Sequence, residues 1–134
     1  MIECIVMTAD LMAEVRVLEA LRAAGLTARA AGSEAWALEM AAAADPSGDA
    51  GPPTIGVVDL TAPDAVAAIE RAADAGVPVV AYGPHVDGDA LAAARAAGAT
   101  AVYPRGRFLM QTAALVRGLV AQDESGGGVP KDSA

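Results

Sequence analysis

Thr54-Ile55-Gly56-Val57-Val58-Asp59 is the stretch whose reading decides the fold. It follows a Pro-rich loop, precedes a helix opened by Pro63, and is apolar or glycine at four of its six positions. A short continuous apolar run bounded by turn signals predicts a strand buried on both faces. Two β-α units precede it and two follow, which places it in the middle of a parallel sheet. Asp59 then closes a central strand at its carboxyl end, where open α/β sheets hold their ligands and do their chemistry.

Working outward, 134 residues suit one domain with a sheet covered on both faces. Alanine is abundant and aromatics make up only 3%, so helices can lie close to the sheet but few large anchors exist for stacking on bases or sugars. A net charge of -8 argues against a nucleic-acid surface and leaves a basic or protein partner open. Cys4 is the one cysteine and His85 the one histidine, which excludes disulfides within the chain and the common zinc sites. Cys4 falls in a strand pattern and is expected to be a buried small residue. Neither a signal peptide nor a membrane span is recognisable, so the expected location is cytoplasmic and off the membrane.

In chain order, residues 2–8 read as the first strand. Asp10 caps a helix whose inward stripe is Leu11, Val15, Leu18 and Leu21, closed by Gly25. Residues 27–31 form a weak strand with Arg29 inside it, as befits an edge. Ser33 caps a second helix, with Ala35, Leu38 and Ala42 toward the sheet and Trp36 as its core or semi-core indole. Residues 45–53 make a long loop. After the central strand, Thr61 or Asp64 caps a helix with Ala65, Ile69, Ala72 and Ala73 inward. Strands over 77–82 and 99–103 enclose a helix over 87–97 with Leu91 inward. Pro104-Arg105-Gly106-Arg107 reads as a basic loop that either accepts an anion or solvates the turn, ahead of a last helix marked by Phe108, Leu109, Thr112, Leu115, Val116 and Leu119. Five such units predict a doubly wound α/β fold: a five-stranded parallel sheet with helices on both faces. The domain spans residues 1–121, and 122–134 read as a disordered tail. No dinucleotide fingerprint follows the first strand, and no Walker-type motif occurs.

The placement of Asp59, the run Val77-Pro78-Val79-Val80 and the segment Ala94-Arg95-Ala96-Ala97-Gly98-Ala99 resemble the receiver (CheY-like) domain of bacterial two-component response regulators over residues 1–121. The resemblance implies the flavodoxin-like strand order 2-1-3-4-5. It implies an acid pair for Mg²⁺ after the first strand, an acceptor Asp on the third, a Ser or Thr ending the fourth and a Lys after the fifth. Counting back from Gly25 puts the acid pair on Thr8 and Ala9, with Asp10 one residue late, read as the helix cap and as a site-adjacent acid that can swing inward beside Asp59. Asp59 matches the acceptor, Gly83 stands for the Ser or Thr, and Arg105 for the Lys. With these departures the chain is expected to be a degenerate pseudo-receiver, with no cofactor beyond a weak Mg²⁺ site.

The expected function is therefore a non-enzymatic signalling module that binds a protein partner, or a second copy as a dimer. Its contact face would be built from the fourth helix, fifth strand and fifth helix, presenting Ala90, Ala93, Ala94, Val102, Arg105 and Arg117. One alternative is a phosphorylatable single-domain regulator with Asp59 as acceptor; another is a small-molecule or anion sensor using Asp59, Tyr82, His85 and Arg105. For Asp59 itself, the alternatives are a phosphoacceptor, another ligand group, or an acid that caps the next helix or pairs with Arg105. Tyr82 packs in the core with its hydroxyl tethered to a neighbour, or faces the crevice. His85 is a surface imidazole or a pH-sensitive group near Asp59.

Overall fold

The computed structural model describes residues 3–45 and 54–124, with side chains described up to residue 119. Its elements in order are β1 (Glu3–Met7), α1 (Leu11–Ala23), β2 (Thr27–Ala30), α2 (Ser33–Ala44), β3 (Thr54–Asp59), α3 (Ala65–Asp74), β4 (Val79–Gly83), α4 (Gly88–Ala97), β5 (Ala101–Pro104), α5 (Arg105–Met110) and α6 (Thr112–Glu124). The strands form one sheet in the order β2-β1-β3-β4-β5, every neighbouring pair parallel. This is the doubly wound five-stranded sheet that the sequence predicts. Residues 122–124, expected to begin a disordered tail, close α6, while 125–134 and the expected loop over 46–53 lie outside the described residues.

Two cores lie on opposite sides of the sheet. Ile5, Met7, Val58, Val79 and Ala81 pack under α2, α3 and α4, while Cys4, Val6, Ile55, Val57, Val80 and Tyr82 pack under α1, α5 and α6. Alternation along β3 and β4 makes this division, because successive side chains leave a strand on opposite faces. β3 is buried on both faces from Ile55 to Asp59, as its unbroken apolar run requires. β2 is the edge, and Arg29 on it bonds Glu3 of β1 at 2.8 Å and pairs with Glu39 of α2.

On the α2 side, the indole of Trp36 is fully buried and its Nε1 donates to the Ala68 carbonyl at 2.9 Å. The ring edge lies against Gly56: a Cβ added there would stand 2.6 Å from it and 3.2 Å from Val79. Gly56 is thus the seat of the indole. Gly98 ends α4 in a left-handed turn at φ 110, and a Cβ there would come 2.7 Å from that of Ala73.

The structure corrects several local expectations. In α1 the buried stripe is Ala13, Val17, Leu18 and Leu21, with Leu11 and Val15 exposed, so the helix is rotated from the predicted phase. In α2 Trp36 and Met40 face the sheet while Leu38 is exposed, because the indole takes the space over Gly56. Gly32, not Ser33, caps α2; the Ser33 hydroxyl donates to Asp64 at 3.0 Å and ties the starts of α2 and α3. The predicted loop 104–107 is strand end and helix, and the last helical segment is broken at Gln111 into α5 and α6. At that break the Thr112 hydroxyl donates back to the Phe108 carbonyl at 2.8 Å.

Candidate functional site

Asp59 ends β3 at the carboxyl edge of the sheet, fully buried on the α1 side. A buried carboxylate must be hydrogen-bonded or paired, since an isolated charge there is strongly disfavoured. Its two oxygens are treated differently. Oδ1 accepts from the Thr61 backbone N–H at 2.9 Å and from the Thr61 hydroxyl at 2.7 Å. Oδ2 accepts one long bond from the Ala9 N–H at 3.4 Å and faces Arg105 Nη1 at 3.6 Å. Oδ1 is tightly held; Oδ2 is the freer oxygen.

Arg105 reaches the site because the parallel register pairs Gly83 with Pro104, so the residue after β5 lies beside the ends of β3 and β4. Its second nitrogen, Nη2, lies 3.8 Å from Asp10 Oδ2. Asp10 caps α1 as expected, but only through Oδ1, which accepts from Ala13 N at 2.8 Å. One carboxylate oxygen therefore secures the helix and the other remains turned to the guanidinium. Arg105 bridges the acids that follow β1 and end β3, two adjacent strands, at charge-pair rather than tight hydrogen-bond distances. It is 35% exposed and forms the solvent side of the cluster.

Tyr82 is the register partner of Asp59 and is fully buried on the same face. Its ring stacks on Phe108 with centroids 4.6 Å apart and an interplanar angle of 8°. The expected tether is absent: the hydroxyl approaches Asp59 without the geometry of a hydrogen bond and is the buried side-chain polar atom left without a partner among the described residues. Burial first, then the negative charge of Asp59, holds the phenol far above its ordinary pKa, with Arg105 pulling the other way.

The other candidates are less central. Gly83 ends β4, and the space a side chain would take there is filled by Leu60, whose Cβ lies 3.1 Å from an added Cβ. His85 is exposed, and no hydrogen bond or ion pair joins it to Asp59 among the described residues. Arg107 lies over the Tyr103 ring at 5.1 Å. Of the two cap candidates, Asp64 holds the N-cap position of α3, and Thr61 serves Asp59 instead, a site role the sequence reading did not assign it. The signal was an acid followed two residues later by a hydroxyl, the spacing of a local side-chain turn.

The resemblance to receiver domains implies a divalent cation beside Asp59. Among the described residues, no three His, Cys, Asp or Glu side chains gather into a metal cage. Magnesium, however, is commonly held by one or two carboxylates with water and phosphate supplying the rest. Asp10 and Asp59 meet that smaller requirement, since both already turn an oxygen toward one shared positive charge. They are the residues that would hold it.

No family model and no curated protein matches the chain. Solved structures do. The receiver domain of a Francisella response regulator is similar with a TM-score of 0.72 and 11% identity, over 90% of this chain and 98% of that one. A response regulator from Thermotoga maritima gives 0.64 and 17%, over 89% and 98%. The phosphorylated cyanobacterial phytochrome response regulator RcpA gives 0.57 and 19%, over 96% and 98%. The expectation of a degenerate pseudo-receiver is overturned by this likeness together with the site. An Asp closes the central strand in an ion pair with Arg105, and the same guanidinium faces Asp10, one residue beyond the positions to which counting back from Gly25 assigns the acid pair. The expectation of a non-enzymatic module falls with it. Of the residues expected on its contact face, Ala94 is buried and Arg117 donates to the Ala24 carbonyl at the end of α1, while Ala90, Ala93, Val102 and Arg105 remain at least partly exposed. Among the described residues no helix is long and apolar enough to cross a membrane. The fold of this chain is that of response-regulator receiver domains, with an ion-paired aspartate closing its central strand.

Proposed function

We propose that the chain is a phosphorylatable receiver domain with Asp59 as phosphoacceptor. The observation that carries this reading is the unequal treatment of the two Asp59 oxygens. Thr61 fixes Oδ1 and so orients the carboxylate, while Oδ2 faces only Ala9 N–H and the half-exposed Arg105. Oδ2 is the nucleophile. With acetyl phosphate as donor, Oδ2 forms a bond to phosphorus as the bond from phosphorus to the acetyl oxygen breaks. Acetate leaves with that electron pair as a carboxylate, so the step needs no general acid.

Arg105 must first move off Oδ2, because Asp59 is wholly covered in the unmodified state. Its guanidinium then remains at hand for the phosphoryl oxygens, which it can meet through two parallel N–H groups. Magnesium bound by Asp10 and Asp59 would neutralise further charge on the transferring group. We further propose that the modified domain acts on a protein partner, the exchange of Arg105 contacts being the change that partner senses.

The test is incubation with acetyl phosphate and Mg²⁺, read by intact mass. The expected result is a gain of one phosphoryl group that Asp59→Asn abolishes. A wild-type protein that gains none, or an Asp59→Asn variant that gains as much, overturns the reading.

A further inference from the structure

The unpartnered phenol of Tyr82 is the feature of this site that the chemistry above leaves unused. A buried hydroxyl without a partner is disfavoured and uncommon, so each instance calls for a reason. Here three observations converge. Tyr82 is the register partner of Asp59 on the neighbouring strand and shares its face of the sheet. Its ring cannot easily turn elsewhere, being fully buried and stacked flat on Phe108. The next residue, Gly83, has no side chain to donate with, and Leu60 occupies the space where one would stand.

We propose that the Tyr82 hydroxyl is the donor reserved for the group that Asp59 carries, giving a phosphoryl oxygen the hydrogen bond it lacks in the unmodified protein. The inference rests on the acceptor reading of Asp59. Adding a phosphoryl group places new anionic oxygens beyond Oδ2, and a neutral phenol can donate to them without adding charge. A phenol is protonated at neutral pH, so its hydrogen is present whenever the group arrives. The bond it makes is charge-assisted, the stronger kind. Tyr82 thus discriminates a tetrahedral anion on Asp59 from the bare carboxylate.

The experiment compares wild type, Tyr82→Phe and Phe108→Leu. Each receives beryllofluoride with Mg²⁺ as a phosphoryl mimic, titrated by calorimetry, and acetyl phosphate, followed by intact mass. Tyr82→Phe is expected to weaken beryllofluoride binding about 10–100-fold, the loss of one hydrogen bond to a charged group. Its unmodified form should melt no lower than wild type, which separates a lost donor from a damaged fold. Phe108→Leu loosens the stack but keeps the hydroxyl, and should retain most of the affinity. Equal affinity in Tyr82→Phe and wild type overturns the proposal while leaving Asp59 as acceptor. So does an equal loss in Phe108→Leu, which would assign the effect to packing. A wild-type protein that takes up neither probe overturns the acceptor reading and this inference with it.

Discussion

The two faces of the sheet solve the same packing problem in opposite ways. Under α2, α3 and α4 the layer is rich in alanine with one aromatic side chain, Trp36, and that side chain is satisfied: its ring sits on Gly56 and its N–H meets Ala68. Under α1, α5 and α6 the layer is built from larger aliphatics and the Tyr82–Phe108 stack, yet it contains a buried carboxylate and an unpartnered phenol. The first face is complete as it stands. The second is complete only around a charge that Arg105 offsets from outside. Departures from local consistency concentrate where a protein does chemistry, and here they fall on one face.

The largest effects should come from the satisfied face. Trp36→Ala removes a fully buried indole and should cost about 3–5 kcal/mol in denaturant unfolding. Gly56→Ala should cost about 1–3 kcal/mol, because its Cβ would overlap a ring that is held by burial and a hydrogen bond. If Gly56→Ala proves neutral, the indole is not seated as described and the contrast between the faces weakens.

On the site face, Arg105→Ala leaves the Asp59 charge without its cation. Fully buried pairs broken this way cost about 3–5 kcal/mol, but Arg105 is 35% exposed and its contacts are long, so about 1–2 kcal/mol is expected. The double variant Arg105→Ala/Asp59→Asn should recover most of the loss. A double variant no more stable than Arg105→Ala would show that the pair does not carry that energy.

The same face should be the alkali-sensitive one. Cys4 is buried there, and burial, then the charge of Glu3, pushes its thiol from 9.0 up to about 11. Below the lower value the thiol is neutral in both states and stability is unaffected. As pH rises through the window, the unfolded chain ionises first and stability is lost, by about 1 kcal/mol at about pH 10. Chemical unfolding across that window should show a smaller loss in Cys4→Ala than in wild type. Smallest of all, Tyr82→Phe should leave the unmodified protein unchanged or up to about 1 kcal/mol more stable, since it deletes an unsatisfied hydroxyl. A clear destabilisation would mean that the phenol already has a partner.

Much of this molecule is written in local pattern. The apolar run ending in Asp59, the cap at Asp10, the glycine stops at Gly25 and Gly98 and the charged edge strand all follow from spacing and residue chemistry within a few positions. Even the Asp59–Arg105 pair follows once the strand order is known, because both residues end neighbouring regions of one sheet edge. Asp10 is legible both as a helix cap and as an acid beside the site, and the fold decides that one carboxylate oxygen serves each.

Other features were settled only by the assembled fold. The phase of α1, the exposure of Leu38 and the seat of Trp36 depend on which helix meets which strand, and alanine-rich helices carry little periodic signal to fix that. Whether Thr61 serves a helix or an acid, and whether the Tyr82 hydroxyl finds a partner, depends on atoms placed by other strands and helices. Spacing along a chain fixes which face a side chain takes; distance to a group on another element is set by packing, and hydrogen bonds are won or lost within about half an ångström.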